Sequence, residues 1–395
     1  MSGSKSLHDR IARTVREIPR SGIRDFFDIV STRKDVISLG IGEPDFVTPW
    51  HIRDAAARAL DRGQTSYTSN MGLLSLRRSI ATYVAKKSGI QYAPEDEVLI
   101  TVGVSEGLDL AIRALIEPGD EVIYHEPSYV SYNPIVQFAY GVPVAIQTKK
   151  ENGFRLTRDE LEAVVTPKSK LLLLNYPNNP TGATLSRKEV EAVAAFAIEH
   201  DLIVLSDEIY DELTYDDDHF SIISVPGMRE RTIYLHGFSK AWAMTGWRMG
   251  FTCAPPELTE AMMKIHQYTM LCAPILSQEA AIEALKQCGS DVERMKQEYM
   301  RRRNFMRASF EEMHIPCIEP AGAFYAFADV SQFGISAHQF ALDLLEAENV
   351  AVVPGNMAEI IGAERRRREK PLPFQSLAGI GIFSCQCERK ADRVS

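Results

Sequence analysis

The sequence predicts an α/β protein: a large domain with a mainly parallel, helix-covered sheet, and a smaller α/β domain built from both chain ends. Three observations carry this. Short apolar runs at 98–102, 121–124, 170–174, 202–205 and 232–235 alternate with stretches of helical character, and continuous runs of that length signal strands covered on both faces. Each run has its polar or aromatic residues clustered just after its C-terminal end, where such sheets bind ligands. The chain's 395 residues exceed one ordinary core, which favours two domains. The expected division is 48–285 for the large domain, with 1–47 and 286–395 forming the small one.

Taken in order, residues 9–33 read as a helix, with Ile11, Val15, Ile18, Phe26, Phe27 and Ile29 as its apolar positions. A short strand from Val36 runs into the glycine turn Gly42-Glu-Pro-Asp-Phe46. Pro49 precedes an amphipathic helix from Ile52 to Leu60. The polar aromatic loop 65–72 contains Tyr67, and a further helix runs through Tyr83. A helix is expected from Leu108 to Leu115, after the turn Gly103 to Gly107. Residues 278–312 read as a long, charge-rich helix that Gly289 can interrupt; it bridges the two domains. A strand over 318–327, a helix over 337–346 and a strand at 350–353 complete the small domain.

Composition narrows the function. Apolar content of 45% and charged content of 25% are those of an ordinary soluble globular protein. A net charge of −9 argues against a nucleic-acid partner. No stretch approaches the ~20 apolar residues needed to span a membrane, and the first ten residues lack the apolar run of a secretory signal. The six cysteines are scattered except for Cys385 and Cys387. That C-x-C spacing has no histidine nearby, so no metal site is expected. Free thiols suit a cytoplasmic location.

The chemistry centres on the stretch from Thr232 to Phe251, a buried strand, a glycine turn, Ser239-Lys240, a short loop and Arg248 before another strand. A lysine past a strand end, with an arginine eight residues on, suits an aldehyde cofactor that carries a phosphate. The bland alternative is a surface lysine and an ion-paired arginine. Other strand ends add to the first reading. Asp207 suits a protonated pyridine nitrogen, Tyr210 and Asn179 could donate to a phenolate oxygen, and Tyr129 could stack on a ring. Gly103, Val104, Ser105 and Glu106 lie where backbone amides at a helix start bind an anion. The Glu106 carboxylate would oppose a phosphate, so its amide must be what helps. Singly, Asp207 could be a helix cap, Tyr129 core packing and the Asn179 turn an ordinary turn; in this order together they point to one site.

In those pieces the chain resembles the class I/II aminotransferases of fold type I, which depend on pyridoxal 5′-phosphate. The matching segments are Gly42 to Phe46, Tyr67, Gly103 to Gly107, Tyr129, Asn178 to Gly182, Ser206 to Tyr210, Ser239-Lys240 and Gly246 to Gly250. Within the family the chain is similar to the branch of aspartate, aromatic and N-acetyl-diaminopimelate aminotransferases. The resemblance implies that Lys240 bonds the cofactor's aldehyde and shuttles the proton. It implies that Asp207 and Tyr210 tune the ring, Asn179 contacts its oxygen and Tyr129 stacks. Val104, Ser105, Glu106, Ser239 and Arg248 would hold the phosphate, joined by Tyr67 from the second subunit of a homodimer. Gly42, with Asn179, would lie against the substrate. Gly237 stands where many members carry serine, which would remove one phosphate contact. The substrates implied are an L-amino acid and a 2-oxo acid.

After Gly355 the resemblance ends. The family continues into an arginine on a strand that grips the substrate carboxylate bidentately, whereas this chain runs into Arg365-Arg-Arg-Arg368 and a tail without that pattern. A frameshifted or replaced tail is the expectation, with the cofactor bound but amino-acid turnover weakened. A C–S β-lyase using the same lysine, and a cofactor-binding relative with impaired catalysis, are the alternatives.

Overall fold

The computed structural model describes residues 6–19, 33, 35–40 and 42–355, and the backbone of 377–381. Its strands are β1 (Ile37–Ser38), β2 (Val98–Thr101), β3 (Glu121–Glu126), β4 (Val142–Gln147), β5 (Ser169–Asn175), β6 (Ile203–Asp207), β7 (Thr232–Gly237), β8 (Gly250–Cys253), β9 (Tyr325–Asp329), β10 (Val350–Ala351), β11 (Val353–Pro354) and β12 (Leu377–Gly381). Seven of them make the large sheet, in the order β2-β8-β7-β6-β5-β3-β4. Only β8 is reversed, antiparallel to both β2 and β7. The mainly parallel sheet expected from the sequence is therefore present.

Alternation along these strands sends neighbouring side chains to opposite faces. Leu171, Leu173, Leu205, Ile233 and Leu235 pack with Leu108, Ile112 and Met262 from one helical layer. Leu172, Leu174 and Val204 pack with Val190, Val193 and Phe196 of the helix Arg187–Glu199. Further along that second face, Val98, Ile100 and Tyr234 meet Ile52, Leu76, Ile80 and Ala281. Both faces are thus buried, which is why these strands read as unbroken apolar runs.

Four sequence expectations change in detail. The helix expected over 9–33 begins as two short helices, Leu7–Arg10 and Arg13–Glu17, with Ile11 and Ala12 extended between them. Neither helix buries a residue, and isolated short helices gain too little to propagate; residues 20–32 lie outside the described ones. The helix after Gly72 runs on to Ser88, where Gly89 at φ 76° closes it as left-handed glycines do. The helix expected from Leu108 begins at Val104, which puts Ser105 and Glu106 in its first turn. The long charged segment is two helices, Ile275–Gln287 and Gly289–Glu312, broken at Cys288.

β1 pairs with β10 in parallel, and β12 lies antiparallel between β11 and β9. The helix Gly289–Glu312 leads from the large sheet's helical cover towards β9. The tail residues 356–376 and 382–395, with the Arg365–Arg368 cluster and Cys385 and Cys387, lie outside the described residues. The other four cysteines are free thiols. Among the described residues no helix is long and apolar enough to cross a membrane.

Candidate active site

The carboxyl ends of β2, β3, β5, β6 and β7 deliver their polar residues to one edge of the large sheet. Asp207 is the last residue of β6 and is buried. Its Oδ2 accepts from the Tyr132 hydroxyl at 2.8 Å and its Oδ1 from the Ile209 amide at 3.3 Å. Asn175, at the end of β5, donates to the Asp207 carbonyl at 3.0 Å and accepts from the Asn179 amide at 3.0 Å. Burial pushes the Asp207 carboxyl up to about 6 against the pull of the Tyr132 bond. A buried carboxylate held by neutral donors, with no ion pair among the described residues, suits a cationic ring nitrogen.

Lys240 follows β7 and is half-buried. Its Nζ lies 5.8 Å from the Tyr210 ring centroid and 5.7 Å from that of Phe324, and it donates to the Gly42 carbonyl. Burial draws its pKa down to about 8, with Arg248 adding to the fall and Glu43 and Asp207 opposing it. A lysine that gives up its proton near pH 8, well below an ordinary amine, is a competent nucleophile towards an aldehyde. Tyr210 is buried, its hydroxyl 2.6 Å from that of Tyr325.

The anion end is built from backbone. Gly103, at φ 75°, caps the helix Val104–Leu115 without a side-chain hydrogen bond. The first amides to bond back are those of Glu106 and Gly107, to the Gly103 carbonyl, which leaves the Val104 and Ser105 amides to a ligand. The Glu106 carboxylate turns away from this end, bonding the Val102 amide and, at 2.7 Å, the His266 Nδ1. Arg248, itself left-handed at φ 50°, bonds only the Thr245 carbonyl among the described residues and pairs with no carboxylate there. A Cβ on Gly103 would stand 2.6 Å from the Arg248 Nη2, and one on Gly250 would stand 2.5 Å from the Gly103 carbonyl carbon. The glycines are what let the arginine reach the helix start. Gly237 has the same cause: a Cβ there would meet the Met249 carbonyl oxygen at 2.9 Å, so the β7–β8 approach leaves little room for serine.

This donor set fits pyridoxal phosphate: a cradle of free amides and, among the described residues, an arginine without a carboxylate partner for the phosphate, a lysine of lowered basicity for the aldehyde, a buried carboxylate for the ring nitrogen. Lys240, Asp207, Tyr210, Val104, Ser105 and Arg248 gather at one edge, where Ser239 precedes Lys240. Tyr129, half-buried, meets Tyr132 edge-on with ring centroids 5.6 Å apart. Asn179 is held through its backbone amide, which donates to the Asn175 Oδ1 at 3.0 Å. Tyr67 is 83% exposed in the single chain, and no bond joins it to this group. Sequence reasoning missed Tyr132 and Tyr325. The first sits in a short helix, Tyr132–Phe138, that no pattern announced, and the second was one aromatic in an apolar strand.

Fold and site together define a lysine-anchored, phosphate-binding α/β enzyme of fold type I. The chain belongs to the family Aminotransferase class I and II, whose sequence profile matches residues 34–368. The Bacillus subtilis (strain 168) protein YugH is 51% identical over 87% of this chain and 89% of its own. An aspartate aminotransferase of Pyrococcus abyssi is 46% identical over 85% and 87%. Among solved structures, an aromatic aminotransferase from Pyrococcus horikoshii superposes with a TM-score of 0.85 at 41% identity, covering 93% of this chain and 96% of that one. The aspartate aminotransferase from Thermus thermophilus, solved with maleate, superposes at 0.89 and 34% identity, covering 98% of each. Pyridoxal 5′-phosphate is the cofactor of this family and of this enzyme, which transaminates. No comparison supports the lyase or the impaired relative.

Proposed function

We propose that the enzyme moves an amino group between an L-amino acid and a 2-oxo acid, with Lys240 as the catalytic lysine. Carrying this is one observation: Lys240 Nζ lies 5.8 Å from the Tyr210 ring centroid and feels the charges of both Asp207 and Arg248. When bound, the cofactor supplies an electron sink that makes the substrate's Cα proton removable. The protein's residues do the rest. Val104 and Ser105 amides, the Ser239 hydroxyl and Arg248 hold the phosphate and fix the ring's direction. Asp207 keeps the ring nitrogen protonated, Tyr210 and Asn179 hold the phenolic oxygen, and Tyr129 covers a face. Lys240, freed when substrate takes its place, would accept the substrate's Cα proton on Nζ and deliver it to the cofactor's aldehyde carbon, C4′, which its lowered basicity favours. Gly42, whose carbonyl meets that Nζ, backs the substrate carboxylate.

Relatives named for aspartate and aromatic substrates make dicarboxylic and aromatic amino acids the first donors to try. The test is purified enzyme with an amino-acid panel, following conversion of the cofactor's absorbance to its amine form and the 2-oxo acid released. Stoichiometric 2-oxo acid without thiol release is expected. Release of thiol or sulfide from sulfur amino acids, without amino transfer, would overturn the reading.

The enzyme is further read as a cytoplasmic homodimer, with 48–285 as its large domain and 1–47 plus 286–395 as its small one. Supporting the dimer, Tyr67, Tyr268, Met270 and Leu271 are all exposed, and Asn70 ties the two loops together by donating to the Leu271 carbonyl at 2.6 Å. So exposed an apolar group marks an interaction surface. Mixing inactive Lys240→Ala and Tyr67→Phe proteins should restore activity through hybrid dimers. A strictly monomeric protein in sedimentation would rule the dimer out.

A further inference from the structure

We propose that Tyr325, reaching in from the small sheet, fixes the direction in which Tyr210 gives its proton, and that residue 42 is glycine to leave room for the Tyr325 hydroxyl. The inference rests on the reading that Tyr210 donates to the cofactor's phenolic oxygen. The two hydroxyls are 2.6 Å apart and both residues are buried. Each hydroxyl carries one proton and can give it once. By itself the pair has no preferred sense, since either oxygen can be the donor. Once Tyr210 commits its proton to the cofactor, the proton between the two tyrosines must come from Tyr325. Burial holds both phenols protonated well above neutral pH, so two protons are present to be ordered. A hydroxyl that accepts a bond becomes a better donor, so Tyr325 strengthens the bond Tyr210 makes onward.

Gly42 supplies the second, independent observation. A Cβ there would stand 2.5 Å from the Tyr325 hydroxyl oxygen and 3.5 Å from Cζ of the same ring. Any side chain at 42 displaces that hydroxyl. Lys240 donates to the carbonyl of the same glycine, so loop, strand β9 and catalytic lysine meet at one corner. Tyr325 is held there by the backbone pairing of β9 with β12, in which it faces Gly381, and by the Tyr210 and Phe324 rings at 5.7 and 5.0 Å. It is a positioning residue, acting on the cofactor through Tyr210.

The experiment titrates the absorbance of the holoenzyme's Lys240-bound cofactor against pH, and measures the cofactor dissociation constant beside it. Tyr325→Phe keeps the ring and removes the donor. A weaker Tyr210 donor stabilises the phenolate less, so the bound cofactor should keep its proton to higher pH, the midpoint rising by roughly half a unit to one unit. The dissociation constant should rise roughly three- to tenfold with it. Gly42→Ala should shift the midpoint the same way and carries the test if Tyr325→Phe does not fold. Tyr210→Phe should shift it further, and adding Tyr325→Phe to that background should move it no more. A midpoint that ignores both Tyr325→Phe and Gly42→Ala, or shifts that add in the Tyr210→Phe background, would overturn the inference while leaving Lys240 in its role. A wild-type protein with no cofactor band at Lys240 would overturn the catalytic reading, and this inference with it.

Discussion

The site has two walls, and they are built by different means. The first comes from the large sheet: Gly103 to Glu106, Asp207, Tyr210, Lys240 and Arg248 stand at the end of a strand or within a few residues of one, side by side because the strands are. The second comes from distant pieces of chain: the Gly42–Phe46 loop and Tyr325 on β9, brought together by the helix Gly289–Glu312. Arg302 of that helix bonds both oxygens of Asp45, at 2.9 and 3.1 Å, and lies 5.2 Å over the Phe46 ring. The first wall carries the charges and the proposed reacting groups; the second carries a glycine, a carbonyl and a hydroxyl. Disabling the first should stop the chemistry, whereas disturbing the second should tune it.

The largest break is Lys240→Ala, which removes the proposed nucleophile and proton carrier together. Turnover should fall roughly 10⁴-fold, with phosphate-end binding kept; borohydride reduction and peptide mapping should find the cofactor on Lys240 in the parent and nowhere in the variant. A variant turning over within tenfold of the parent would remove Lys240 from both roles.

Asp207→Asn comes next, because it separates function from stability on the same wall. Turnover should fall on the order of 10²–10³-fold as the ring nitrogen loses its charge partner. The apoprotein should gain stability. A carboxyl raised to about 6 by burial holds its proton more tightly folded than unfolded. The folded state therefore loses stability as pH rises from about 4 to about 6, and the deficit is fully present above that. Urea unfolding of the apoprotein at pH ~8 should show a gain on the order of 2–3 kcal/mol for the variant, vanishing below pH ~4. Equal stabilities at pH ~8 would mean that Asp207 is not a strained carboxylate.

A smaller effect needs no mutation. Lys240 is neutral above about 8 and protonated below it, so cofactor capture by the apoprotein should slow roughly tenfold for each pH unit below that midpoint. Stopped-flow mixing with pyridoxal phosphate across pH checks this. A rate independent of pH between about 6 and 9 would show that burial does not set the lysine's basicity.

The two walls also differ in how far they can be read before folding is known. Asp207, Lys240 and Gly103 follow apolar runs, and in a parallel sheet successive run ends are neighbours, so their convergence follows from local pattern and one topological rule. Tyr325 shares no such rule. Its place beside Tyr210 depends on register between segments more than a hundred residues apart, and alternation along β9 marks it only as one more buried aromatic. Tyr132 was hidden for another reason: it begins a seven-residue helix too short to show a period. The reversed strand β8 was legible only as an apolar run after Arg248, since direction leaves no mark on composition. The start of the helix at Val104 in place of Leu108 was hidden by Gly103, which caps through backbone and not through a side chain.

Tyr132→Phe should produce the smallest effect, and it tests whether the first wall is tuned as well as built. Tyr132 is buried, donates at 2.8 Å to the carboxylate oxygen of Asp207 that the Ile209 amide does not use, and sets its ring edge against Tyr129. Phenylalanine keeps that ring contact and removes one donor from a buried anion. The groups facing Asp207 besides Tyr132 are His236 on β7, which favours the anion, and Glu208 on its own strand's end, which disfavours it; Lys240 and Tyr210 feel its charge from across the site. None of these moves in the variant. Losing the Tyr132 bond should therefore raise the Asp207 carboxyl further, so the cofactor should be released at a pH higher by roughly one unit. At pH ~8, where Asp207 is ionised in both proteins, kcat should fall only about three- to tenfold, with KM unchanged. A merely structural tyrosine would lower the unfolding midpoint and leave the release pH where it was, and that outcome would take Tyr132 out of the wall's chemistry.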